Sequence, residues 1–299
     1  MERNEKLVSI IVATYNGEKF LPQQLNSIIQ QTYPYTEIII VDDNSIDGTP
    51  DILTNFKRRY NNIHLYFNKS NIGYVKTFEK GCTLATGKYI SFCDQDDVWA
   101  LNKIELQMGA LGNNEMIYCN DEIVDRNLNS LSKKFSSVKE LNSFDNCLHL
   151  ATDNCVPGHS MIMKKEVFNF AYPFPAEVPH DHWCAFCATL LGRIKFLNKP
   201  LVKWRMHENN VTHIKKNKEQ DATSARKRVD IFFKACPPEY KKEKTILGKL
   251  SESYKNYSLQ NNFLRMNLFL LYKDYFLSIK KRNNFRKTLY CFKMFFRLR

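Results

Sequence analysis

Short, β-branched runs with almost no polar face, each ending in a burst of polar residues, constrain this chain more than any other feature. LVSIIVA (Leu7–Ala13), EIIIV (Glu37–Val41) and YISFC (Tyr89–Cys93) each have the length of one strand. A strand that is apolar on both sides must be covered on both, as in a parallel sheet held between helical layers. Between these runs the period becomes helical. Phe20–Gln31 sets Leu21, Leu25, Ile28 and Ile29 on one side, Tyr74–Ala85 reads as a helix, and Thr49-Pro50 reads as an N-cap with proline at the first helical position. Ile63–Phe67 and Met116–Cys119 supply further strands. The alternation predicts an α/β fold with a parallel sheet. Residues 126–146 read as a polar loop, followed by a strand at Ser160–Met163, a helix beginning near Asp181 and an extended stretch at Leu201–Met206.

The charge is unevenly placed. Residues 208–299 hold 22 Lys and Arg against 8 Asp and Glu, whereas residues 1–207 are close to neutral. This divides the chain into a body at 1–207, with halves at about 1–125 and 126–207, and a basic helical region at 208–299. Such a region can seek nucleic acid, an acidic partner or an anionic membrane. No apolar run approaches the roughly 20 residues that span a bilayer. Met1–Lys6 is charged and leads straight into a strand, unlike a secretory leader, and of the nine cysteines Cys184-x-x-Cys187 falls on a predicted helix, so that they read as small buried hydrophobes. Both features predict a cytoplasmic protein with reduced thiols.

Ligands of an open parallel sheet bind beyond the carboxyl ends of its strands. Thr14-Tyr15-Asn16-Gly17 follows the first strand, Asp42-Asp43-Asn44-Ser45 the second, and Asp94-Gln95-Asp96-Asp97 the fourth. One rim thus receives an aromatic ring and at least four carboxylates, an arrangement that calls for a compensating cation or hydrogen-bond donors. Asp94-x-Asp96 at a strand end offers hard oxygen ligands for Mg²⁺ or Mn²⁺, an ion that would also take oxygens from a diphosphate. GxGxxG and Walker loops are missing from the sequence, which argues against dehydrogenase and P-loop chemistry.

VSIIVATYNGEKFL, EIIIVDDNSIDGT, NIGYVKTFEKGCTLATGKYISFCDQDDVW and VPHDHW resemble, in order and over roughly residues 7–210, the inverting glycosyltransferases of family 2; the DQDDVW form resembles the bacterial rhamnosyltransferase-like members. The resemblance implies a GT-A fold, a Rossmann-like α/β sandwich, carrying the basic helical extension. It implies transfer of a hexose or deoxyhexose from a UDP- or dTDP-sugar to a saccharide or lipid-linked saccharide in surface-polysaccharide assembly. It further implies that Tyr15 stacks on the base with Thr14 and Asn16 nearby. Asp43, or its neighbour Asp42, would accept from the base imide. Asn71, Gly73, Lys76 and Gln95 would line the donor pocket, with Lys76 meeting a phosphate. Asp96 would be the direct metal ligand, with Asp94 and the late His207 beside it.

Asp181, in Pro179-His180-Asp181-His182-Trp183, falls where the family keeps its catalytic base; His180 stands where a glutamate is commonest. A carboxylate there can accept the acceptor's proton, although an aspartate in a first helical turn can also simply cap. His180, His182, Trp183, Trp99 and Gly158 are candidate acceptor contacts, or else packing. The rival readings are a sugar-phosphate nucleotidyltransferase and a non-catalytic nucleic-acid-binding protein; the clustered carboxylates disfavour nucleic acid. At the end of the chain, Phe285, Leu289, Phe292 and Phe296 recur at helical spacing among Arg286, Lys287, Lys293, Arg297 and Arg299. That stripe predicts either contact with an anionic bilayer or packing against the body.

Overall fold

Strand β1 (Val8–Thr14) buries Val8, Ile10 and Val12 in one apolar cluster and Ile11 in another, as a strand covered on both faces must. The computed structural model describes residues 6–208 and 218–297; residues 1–5 and Arg299 lie outside them. After β1 come α1 (Leu21–Ile29), β2 (Thr36–Asp42), α2 (Thr49–Arg59), β3 (Ile63–Phe67), α3 (Tyr74–Leu84) and β4 (Tyr89–Cys93). They are followed by β5 (Val98–Trp99), α4 (Lys103–Leu111), β6 (Met116–Val124), β7 (Ser130–Lys134), β8 (Met161–Lys164), α5 (Lys165–Ala171), α6 (His180–Leu191) and β9 (Ile194–Arg205). Helices α1, α2 and α4 cover one face through Leu21, Leu25, Leu53 and Ile104. Helices α3, α5 and α6 cover the other through Phe78, Cys82, Val167 and Phe186.

The sheet runs β3-β2-β1-β4-β8-β6-β9-β5, with β7 on β6. Strands β1, β2, β3 and β4 are mutually parallel, but the whole is mixed: β8 is antiparallel to both β4 and β6. Apolarity on both faces dictates burial, not direction, so the sequence could not register the reversal. The reversal matters for function. Tyr89 faces Lys164 and Ile90 faces Met163, so the residues preceding Met161 arrive at the carboxyl end of β4. Strand β9 is parallel to β6 and delivers Arg205 and His207 to the same edge.

Three expectations about local structure are corrected. Strand β6 continues to Val124 through Asn120, Asp121 and Glu122, a polar trio that interrupts the apolar pattern. The polar stretch 126–146 includes β7, an exposed strand that pairs β6 where β8 has ended. Helix α2 begins at Thr49, whose hydroxyl accepts from Gly17 N (2.8 Å) rather than capping, while Asp47 Oδ1 accepts from Thr49 N (3.0 Å).

Beyond 217 lie α7 (Lys218–Ala235), α8 (Lys241–Ser253), α9 (Leu259–Leu271), α10 (Lys273–Phe276) and α11 (Asn284–Lys293). Val229, Phe232, Leu247 and Phe269 join the same apolar cluster as α6. The Phe186 and Phe232 rings stack with centroids 4.0 Å apart, so α7 is seated on α6 through a shared core. The buried Arg265 guanidinium donates to the Ser253 and Met294 carbonyls and to Asn262 Oδ1, tying α9 to the end of α8 and to the turn after α11.

Candidate active site

The loops after β1, β2 and β4 meet at one edge of the sheet and are locked to one another. Tyr15 N donates to Gln95 Oε1 (2.9 Å), and Gln95 Nε2 donates back to Tyr15 O (3.1 Å). The amide side chain thus pairs with the neighbouring backbone as a strand would. A Cβ on Gly17 would lie 2.4 Å from Gln95 Oε1, so the clamp requires glycine there. Asn16, at a left-handed φ of 48°, accepts from Ile46 N and donates its own N–H to Ser45 Oγ. The Tyr15 ring is left 46% exposed at the rim.

Asp42 and Asp43 are both buried and both act as braces. Asp42 accepts from the Thr14 hydroxyl (2.9 Å) and from the Ser45 N–H and hydroxyl. Asp43 accepts from Asn68 Nδ2, Ile72 N and Gly73 N, which fixes the turn leading into α3. A carboxylate has about four acceptor positions, and these bonds fill three of Asp43's. Gly73 has φ 82°, and the exposed Asn71 Oδ1 also accepts from its N–H (3.2 Å). Lys76 is a correction: its ammonium donates to both Glu79 oxygens (3.0 Å each) and to the Phe174 carbonyl (2.7 Å). Its three N–H donors are taken up by the protein, leaving none for a phosphate.

Two groupings of ligand-type side chains stand at the end of β4. In the first, Asp96 Oδ2 and His207 Nε2 are 2.8 Å apart, both partly exposed, with the Phe20 ring 4.8 Å from the imidazole. Arg205 Nε holds the Asp96 carbonyl (2.6 Å) and Arg205 N donates to Asp97 Oδ1 (2.9 Å). In the second, Asp94, Asp97 and His159 offer ligand atoms within 4.8 Å of one another. His159 Nδ1 lies 3.1 Å from Asp94 Oδ2 and 3.2 Å from Asp97 Oδ2, and its Nε2 lies 3.3 Å from Asp121 Oδ2.

With a carboxylate against each ring nitrogen, His159 donates from both. Burial opposes its charge, but Asp97 and Asp121 lift its pKa well above the ordinary imidazole value. Each grouping offers ligand atoms to a cation: Asp94, Asp97 and His159 in one, Asp96 with His207 in the other. Against burial, the His159 hydrogen bond and charge hold the Asp94 carboxyl below its ordinary range.

Asp181 sits in the first turn of α6, within electrostatic reach of Asp94. A Cβ on Gly158 would lie 3.6 Å from Asp181 Cβ, while the next residue, His159, touches Asp94. One peptide step thus joins the acidic loop to Asp181. Asp181 Oδ1 accepts from His182 N (2.6 Å) and Oδ2 from Asn154 Nδ2 (3.1 Å). Burial raises its pKa to about 6, the Asp94 charge adding to the rise and the His182 N–H opposing it. Tyr74 is within electrostatic reach of both acidic groups: burial, then the charges of Asp181 and Asp94, push its hydroxyl up to about 12.

For four candidate acceptor contacts, burial selects the packing alternative. His180 stacks on Phe78 (4.2 Å) and stands edge-on to Phe92 (4.7 Å), and burial lowers its pKa to about 4. His182 faces the Leu150 carbonyl (2.6 Å from Nε2), with its pKa lowered to about 3 by burial. Trp183 donates to Ala171 O and lies parallel to Phe232; Trp99 is covered by the Lys103 ammonium, 3.7 Å from the ring centroid. All four belong to the core. Gly158 is buried beside His180 and Asp181. Sequence reasoning missed Tyr74, Asn154 and Asp121, and it noticed His159 only as the neighbour of Gly158. No spacing rule pairs residues so far apart; they meet because β8 runs backwards.

A family model described as glycosyl transferase family 2 matches residues 9–169. The chain is 26% identical over 214 residues (70% of this chain, 81% of the other) to the UDP-Glc:alpha-D-GlcNAc-diphosphoundecaprenol beta-1,3-glucosyltransferase WfgD of Escherichia coli. Its fold is that of Staphylococcus aureus TarS (residues 1–349) solved with UDP-GlcNAc: TM-score 0.62, 20% identity, covering 98% of this chain and 81% of that one. The mannosyltransferase PcManGT of Pyrobaculum calidifontis, solved with GDP-Man and Mn²⁺, superposes with TM-score 0.56 at 17% identity, covering 97% and 85%. The sheet is thus the Rossmann-like GT-A sheet, followed by a helical C-terminal region.

Proposed function

From membership of glycosyltransferase family 2, to which this chain belongs, we propose that it transfers a hexose or deoxyhexose from a UDP- or dTDP-sugar, with inversion, to a hydroxyl of a saccharide or lipid-linked saccharide in bacterial surface-polysaccharide synthesis. The membership sets aside the nucleotidyltransferase and nucleic-acid readings. The observation that carries the proposal is the link between Asp181 and the acidic loop: Gly158 lies against Asp181, and the next residue, His159, contacts Asp94. UDP as the carrier is supported by WfgD, named for a UDP-Glc donor, and by TarS, solved with UDP-GlcNAc.

Asp96 and His207, with Asp94 beside them, would hold the divalent ion, and the imidazole favours Mn²⁺ over Mg²⁺. When bound, the ion neutralises charge growing on the departing nucleoside diphosphate. Tyr15, exposed at the rim, presents a ring for stacking on the base, and Asp43 uses its remaining lone pair for the base N–H. Gly73 is held in place by Asp43 and by Asn71 Oδ1, and Gln95 keeps the Tyr15 backbone in register. Thr14 and Asn16 act through the loop rather than by touching the donor. Asp181 is the base: its raised pKa keeps proton affinity high while leaving it ionised near neutrality. The protonated Tyr74 hydroxyl supplies a donor within reach of the acidic groups and orients a sugar hydroxyl.

The test is nucleotide release from a panel of nucleotide sugars, with and without EDTA. A UDP- or dTDP-sugar should give metal-dependent release that Asp96→Ala and Asp181→Asn both abolish, with only Asp96→Ala weakening metal-dependent nucleotide binding. Undiminished turnover in Asp181→Asn would remove it from the role of base.

A further inference from the structure

The last helix carries apolar side chains on two opposite faces, and only one of them is used. Cys291 and, just beyond the helix, Met294 are buried against the body. Turned the other way, Phe285, Leu289, Phe292 and Phe296 are 72%, 47%, 49% and 54% exposed. Their spacing of four, three and four residues sets them along a single stripe. The stripe is prolonged onto α9: Phe263, 51% exposed, meets the Phe295 ring at 5.0 Å, and Phe295 meets Phe296 at 4.8 Å. A row of large side chains like this is unusual on a surface that faces water alone.

Its charge says what covers it. Arg286 and Lys293 are exposed on the helix beside the stripe, Lys281 and Arg282 precede it, and Glu and Asp are absent from residues 275–299. Helix α11 is fixed to the body by the Arg265 bonds to the Met294 and Phe295 carbonyls and by Cys291 Sγ donating to Phe269 O (3.2 Å). It is therefore a rigid ridge, apolar at its crest and cationic at its flanks. A second copy of this chain would bring a like-charged ridge against it, whereas an anionic lipid surface supplies both the apolar interior and the countercharge. Among the described residues no helix is long and apolar enough to cross a membrane, so the contact is interfacial.

We propose that the α11 ridge seats the protein on an anionic membrane surface, with Phe285, Leu289, Phe292 and Phe296 entering the acyl boundary and Arg286 and Lys293 engaging lipid phosphates. The inference rests on this surface alone and stands independently of the donor and acceptor.

The experiment is sedimentation of the full-length chain with vesicles of phosphatidylglycerol and phosphatidylcholine, or of phosphatidylcholine alone. Wild type should partition onto the anionic vesicles and release with added salt. The double change Arg286→Glu, Lys293→Glu should lower partitioning at least about tenfold, and the quadruple change of Phe285, Leu289, Phe292 and Phe296 to Ser should abolish it. The melting temperature and turnover on a soluble acceptor should be retained, because none of the substituted side chains lies in the core or the site. Wild-type protein that stays in the supernatant, or a quadruple variant that sediments as well as wild type, overturns the proposal. So does a wild-type dimer in solution that the quadruple change converts to monomer with no vesicle binding by either.

Discussion

Replacing Asp181 by asparagine should stabilise the fold while destroying turnover. Burial raises the Asp181 pKa from its ordinary 3.8 to about 6. The folded chain therefore holds this proton more tightly than the unfolded chain, and its stability falls as pH rises between about 4 and 6. Above that window the ionised carboxylate is a net cost. Roughly two pKa units at about 1.36 kcal/mol each give about 3 kcal/mol, an upper figure because water reaches part of the side chain. Asparagine keeps the shape, cannot ionise, and can still accept from His182 N. Urea unfolding should show Asp181→Asn more stable than wild type by about 1–3 kcal/mol at pH 7.5, and equal to it at pH 4. Turnover should fall by about 10²- to 10⁴-fold for loss of a general base. The wild-type kcat/KM should rise with pH through about 6, as the base loses its proton, and the residual activity of the variant should lack that limb. A variant less stable than wild type at pH 7.5, or one with an unchanged acid limb, would refute the reasoning.

Three further outcomes follow from the same geometry. His207→Ala should weaken Mn²⁺ binding by about 10- to 100-fold, read by titration of the ion without donor; unaltered binding would separate His207 from the ion. His159→Leu leaves Asp94, Asp97 and Asp121 without their shared cation, and chemical denaturation should register a loss of about 3–5 kcal/mol. Gly17→Ala forces a Cβ to 2.4 Å from Gln95 Oε1, so the Tyr15–Gln95 clamp should open and nucleotide affinity fall with little change in melting temperature.

How much of this was legible beforehand varies from residue to residue. The strand-and-helix alternation was readable because burial on both faces leaves a local mark: LVSIIVA and EIIIV have almost no side to show to water. The polar bursts after them were readable for the same reason, since a chain leaving a buried strand must satisfy its turn at once. Strand β7 was not, because Ser130–Lys134 is a polar edge whose only strand signature is its pairing with β6. His180, His182 and Trp183 stayed open between acceptor contact and packing, because Phe78, Phe92 and Phe232, which enclose them, are distant in sequence.

By itself, then, the sequence determined the buried strands β1 to β4, which edge of the sheet is acidic and which terminal helix is both basic and apolar. The tertiary structure alone decided the rest: that β8 runs against β4 and drives His159 into the acidic loop, that Asp42 and Asp43 hold backbone, and that Lys76 is already bonded. Local pattern reports whether a side chain seeks water. Which partner it finds depends on strand direction and on contacts between residues tens to more than a hundred positions apart, and no window along the chain contains those.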